Sequence, residues 1–118
     1  MGLSAKRSDD ESAARLAAGV ASYALGIRQD DILSEARGAV ATAFARQVAM
    51  YLCHAGFELS LTRVAVAFGR DRSTVSHACH LIEDRREEPL FDLWIGSLEA
   101  MLPERSPPHH SHLPAARR

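Results

Sequence analysis

Leu59-Ser60-Leu61-Thr62-Arg63-Val64-Ala65-Val66-Ala67-Phe68-Gly69, continued by Arg70-Asp71-Arg72-Ser73-Thr74-Val75-Ser76-His77-Ala78, decides how this chain is read. Ser60 has the chemistry of a helix N-cap, and Leu61, Val64, Ala65 and Phe68 recur at the spacing of one buried helix face. Gly69 breaks that helix, and Asp71 or a neighbour caps the next one. In the second helix Val75, Ala78, Cys79 and Ile82 share the inward face. Ser73, Ser76, His77 and His80 then point outward, with Arg72 and Thr74 flanking the first turn. Two short helices around a tight glycine turn make a helix-turn-helix over about residues 60–86. Short or flat donors and acceptors at the start of its second helix suit close approach to base edges in a DNA major groove. Arg63, Arg70, Arg85 and Arg86 surround them as candidate phosphate partners.

The same helical period runs outward from this unit. Toward the N-terminus, Val40, Phe44, Val48, Tyr51 and Leu52 predict a helix from about Ala39 to Ala55, ended by Gly56. Before it, Asp30 is the expected cap of a short helix carrying Ile32 and Leu33. The acidic cluster Asp9, Asp10 and Glu11 opens a first helix bearing Ala13, Leu16, Ala17, Val20, Tyr23 and Ala24, with Gly26 as its stop. Toward the C-terminus, Pro89 suits the first turn of a last helix whose apolar residues are Leu90, Leu93, Trp94, Leu98 and Met101, and Pro103 marks its end. No period-2 alternation with hairpin turns is evident. The expectation is an all-α fold: one helical domain over residues 9–102, a flexible start at 1–8, and a disordered tail at 103–118.

Composition narrows the function classes. The chain has 118 residues, 47% of them hydrophobic and 25% charged, and a formal net charge of −1. That balance is ordinary for a globular domain and argues against tight non-specific DNA binding, while leaving room for a local basic face. Lys6 stands alone against thirteen arginines, which with the many alanines reads as compositional bias. Cys53 and Cys79 sit in apolar patterns and read as buried thiols. No signal-peptide pattern opens the sequence and no apolar run approaches the ~20 residues of a membrane span, so a cytoplasmic, nucleoid-associated setting is expected.

The sequence Ala45-Arg46-Gln47-Val48-Ala49-Met50-Tyr51-Leu52, then Leu59-Ser60-Leu61, then Ala67 through Cys79, resembles the C-terminal domain of the bacterial replication initiator DnaA. The resemblance covers about residues 30–86. It implies a Trp-repressor-like helical fold that reads DnaA boxes in double-stranded DNA as a monomer. By its signature, Asp71, Arg72, Ser73 and Thr74 take the base-reading role, His77 matches the family's helix histidine, and Arg46 and Arg70 serve the phosphate backbone. The departures are specific. One glycine stands where the family has two, Arg72 replaces a histidine, and Ser73 replaces a threonine and loses its methyl. Phe44 occupies the place of an arginine that enters the minor groove, and His80 and Leu81 stand where the family has basic residues. Weaker binding, an altered sequence preference, or both are expected.

Other chemistry is sparse. No G-x-x-x-x-G-K-[ST] loop occurs, so ATP hydrolysis is not expected of these residues. His109, His110 and His112 lack cysteine or carboxylate partners at finger spacing, so no metal site is expected, and no cofactor. Cys53–His54 and Cys79 with His77 and His80 do not form a nucleophile–base pair with an oxyanion cradle, so no enzyme is expected. The outer helices read first as packing elements. Their sharper alternative is a docking surface for the initiator, another regulator or a second copy, with Trp94 as its anchor. Two functions follow: a DNA-binding regulator of replication initiation or transcription, or a protein adaptor with a weakened DNA-reading face.

Overall fold

The computed structural model describes residues 2–34 and 39–103, with the backbone alone for residues 2–6. The element order is α1 (Gly2–Leu25), α2 (Gln29–Leu33), α3 (Val40–Tyr51) continuing into a π-helical turn (Leu52–Gly56), α4 (Leu61–Phe68), α5 (Arg72–Arg85) and α6 (Pro89–Glu99). There is no strand among the described residues, so the fold is all-α with a helix-turn-helix at α4–α5. The expected tail, with His109, His110 and His112, lies outside the described residues apart from Pro103.

Helix α3 is the hub, packing on α1, α2 and α5. Ala45, Val48 and Ala49 are fully buried there, as is Leu52 at the start of the π-helical turn. Opposite them, α1 contributes Ala13, Ala14, Ala17, Ala18 and Ala21, all buried. Alanines along one face let two helix backbones approach closely, and alanine costs no side-chain entropy on burial. Val75, Ala78, Cys79 and Ile82 close the core from α5, as their spacing predicted.

Expectations for four of the helices are corrected. Helix α1 reaches back to Gly2 rather than starting at Asp9, and its buried face is the alanine stripe, leaving Leu16 and Tyr23 exposed. The N-cap position of α2 is Arg28, not Asp30, which sits in the first turn with Asp31 where the helix dipole favours negative charge. Val40, 86% exposed, lies off the α3 stripe and Phe44 is half-buried.

In α6 the buried residues are Phe91, Ile95 and Leu98, while Leu90 is 81% and Leu93 69% exposed and Met101 is also exposed. Leu90, Phe91, Leu93, Trp94, Ile95 and Leu98 surround that helix almost completely, so period alone does not select a face. The rotation is set by a tertiary contact. Arg86 donates to Asp92 at 2.6 Å, to Glu99 at 3.0 Å and to the Tyr51 hydroxyl at 2.9 Å, and residues 92 and 99 lie on one side of α6.

Candidate nucleic-acid interface

The interface is built by local rules. Ser60 occupies the N-cap of α4, its hydroxyl accepting from the Arg63 backbone N–H at 3.1 Å. Gly69 ends α4 in the left-handed region at φ 66°, a conformation open to glycine at little cost. The Gly69 N–H donates to the Val66 carbonyl at 3.2 Å and the Arg70 N–H to the Ala65 carbonyl at 2.9 Å. This pair of bonds is a Schellman ending, and it turns the chain into α5 with a single glycine.

Asp71 sits at the N-cap of α5 with extended backbone, φ −72° and ψ 150°, yet its carboxylate makes no capping bond. The carboxylate is therefore exposed and uncommitted among the described residues. Arg72, Ser73, Thr74 and His77 are exposed beside it. The five residues expected to read bases thus cluster at one end of α5, while Val75, Ala78 and Cys79 anchor the opposite face.

The arginines expected at the phosphate backbone are placed differently. Arg46 is 8% exposed and donates to the carbonyls of Ile32 and Asp31, both at 2.9 Å. Arg70 donates to the Ser34 carbonyl at 2.7 Å. The last carbonyls of a helix lack intrahelical donors and carry the negative end of its dipole, so these two guanidiniums hold the end of α2 against α3 and the turn. Burial, and then the charge of Arg70, lowers the Arg46 pKa. Arg63 forms a two-pronged pair with Asp10 of α1, at 2.9 and 2.7 Å, and that bond raises its pKa. All three side chains are committed to protein oxygens. Nothing local in the sequence signalled this, because their partners lie far along the chain.

Trp94, expected as a docking anchor, is half-buried in an aromatic cluster. It stacks on Phe44 with ring centroids 6.3 Å apart and meets Phe91 at 5.5 Å. Arg85 lies over the Phe44 and Phe91 rings, at 5.4 and 4.2 Å. Phe44 therefore packs at the place where the family pattern puts a minor-groove arginine. Neither Phe91 nor the Arg86 network was expected from the sequence. Burial opposes ionisation of Arg86, but its bonds to Asp92, Glu99 and Tyr51 outweigh it and raise its pKa. Cys53 and Cys79 are buried, unbridged thiols, and burial followed by the charge of Glu83 pushes Cys79 up to about 11.

The family described as bacterial dnaA protein helix-turn-helix matches residues 13–82. The chain belongs to the bacterial DnaA helix-turn-helix family. That match begins within α1 and ends within α5, so α6 lies beyond it. Among DnaA relatives, the chromosomal replication initiator protein DnaA 1 of Chlamydia pneumoniae is 42% identical over 76 residues, 63% of this chain and 16% of that protein. The chromosomal replication initiator protein DnaA of Aquifex aeolicus (strain VF5) is 39% identical over 82 residues, 68% of this chain and 20% of that protein. The crystal structure of a DNA replication initiation factor superposes with a TM-score of 0.72 and 32% identity, over 84% of this chain and 30% of that one. This DnaA-family chain therefore spans a fifth or less of those two initiators. Among the described residues no cluster of histidine, cysteine or carboxylate could hold a metal ion, and no helix is long and apolar enough to cross a membrane.

Proposed function

We propose that this chain binds double-stranded DNA by inserting the N-terminal end of α5 into the major groove at DnaA-box-like sites. Binding there modulates replication initiation or transcription on the nucleoid, without ATP hydrolysis by these residues. The observation that carries this reading is the exposure of Asp71, Arg72, Ser73, Thr74 and His77 together at one end of a DnaA-family helix-turn-helix. Arg46 and Arg70 act in this reading as braces for the turn, and Arg63 as a tie to α1, so their contribution to phosphate binding is small. The test is a titration of duplexes with and without a DnaA box at stated salt. A box preference that Arg72→Ala and Thr74→Ala abolish is expected. No preference, with both variants unchanged, rejects the reading.

A second reading is an adaptor that contacts the initiator DnaA through the outer helices, and the exposure of Leu90 and Leu93 on α6 favours it. It predicts co-purification of the initiator that survives Arg72→Ala and is lost in the double variant Leu90→Ser, Leu93→Ser. Loss in the first variant and survival in the second rejects it.

A further inference from the structure

We propose that Arg72 reads guanine, so that this chain selects duplexes carrying a guanine where α5 enters the major groove. The assignment rests on the DNA-binding reading above. Its first support is an inventory of guanidiniums around the helix-turn-helix. Arg46 and Arg70 hold α2 carbonyls, Arg63 holds Asp10, and Arg86 holds Asp92 and Glu99. Arg85 covers the Phe44 and Phe91 rings. Arg72 alone of this set makes no hydrogen bond, ion pair or ring contact with any described residue, and it is exposed. As the first residue of α5 it stands at the end of the helix that such motifs direct at base edges.

The second support is chemical. A guanidinium presents a flat fork of donors, which matches the paired acceptors O6 and N7 of guanine in the major groove. Adenine places an amino group where guanine has O6, so one arm of the fork then meets a donor. The neighbouring Asp71 carboxylate is acceptor-only and uncommitted to the helix. It weakens Arg72 as a phosphate clamp by repelling the backbone, and it accepts from the amino group of cytosine across the same base pair. Asp71 and Arg72 together therefore match a G·C pair better than a phosphate. Ser73 beside them keeps a hydroxyl and has no methyl to favour thymine.

The experiment selects randomised duplexes with the full chain, wild type and Arg72→Gln. The preferred duplex and its single guanine-to-adenine versions are then titrated at fixed and at varied salt. Arg72 is exposed, and unfolding curves of the variant establish that its fold is kept. The expected result is one guanine whose replacement by adenine weakens wild type by about ten- to a hundredfold, whereas Arg72→Gln loses that preference for guanine, its amide being matched instead to adenine N6 and N7. Arg72→Lys keeps the charge and, without the planar fork, loses part of that discrimination. If Arg72→Gln instead weakens every duplex equally and flattens the salt dependence by about one phosphate, Arg72 is a backbone contact and the assignment is overturned alone. Selection of a site with no guanine dependence overturns it too. Absence of any duplex binding by wild type overturns the proposed function together with it.

Discussion

Arg46 holds two α2 carbonyls at 2.9 Å from a nearly buried position, so its removal strips donors from oxygens that water reaches poorly. Hydrogen bonds involving a charged partner contribute about 1.5–3 kcal/mol each, with losses of neighbours not additive. Arg46→Ala is expected to cost roughly 2–4 kcal/mol, read as a lower urea midpoint with an unchanged m-value. Arg46→Lys recovers only part, since a single ammonium does not reproduce the fork. At Cys79 the folded pKa of about 11 lies above the ordinary 9.0. The unfolded chain therefore ionises first, so this stabilisation is complete below pH 9 and is lost as pH rises toward about 11. Urea unfolding at pH 8, 9.5 and 11 is expected to show that decline and a shallower one in Cys79→Ala. Tyr51, whose pKa is also raised by burial, adds a loss of the same sign at high pH and remains in the variant.

At the scale of elements, the ends of α4 and the rotation of α6 behave differently. Ser60 and Gly69 act within one helical turn of themselves, so both are legible in the amino-acid order alone. Ser60→Ala is expected to destabilise by about 1 kcal/mol, and Gly69→Ala by roughly 1–2 kcal/mol because an L side chain must enter the left-handed region at φ 66°. Helix α6 is legible in extent, from Pro89 to the approach of Pro103, and illegible in orientation. Its leucines, phenylalanine and tryptophan surround the axis, and the choice is made by Arg86 reaching Asp92 and Glu99 from the end of α5. Ile95→Ala, fully buried, is expected to cost about 2–4 kcal/mol. Leu93→Ser, on the exposed side, should stay within about 0.5 kcal/mol. Thermal unfolding of the two variants checks the rotation directly.

For the whole molecule, the arrangement of charge matters more than its sum. Arg63 is tied to Asp10 across 53 positions, which joins α1 to the first helix of the helix-turn-helix. With Arg46, Arg63 and Arg70 bound to protein oxygens, few cations remain to displace counterions from DNA. The logarithm of the DNA affinity against that of salt is expected to fall with a shallow slope of about −2 to −4, measured by titration from low to physiological salt. The family signature, the two helices around Gly69, the exposed start of α5 and the inward Val75, Ala78, Cys79 and Ile82 are all readable from the sequence. They depend on caps, glycine conformation and helical period, which act over a few residues. What Arg46, Arg63 and Arg70 do is not readable there, because their partners are 14 to 53 positions away. The arginines look alike in the sequence until folding assigns an oxygen to some of them and not to Arg72. The sequence by itself determined an all-α DnaA-type helix-turn-helix with an exposed start to α5; only the tertiary structure decided that Arg46, Arg63 and Arg70 are braces, because the oxygens they bind lie far along the chain, and that Arg72 makes no bond to any described residue.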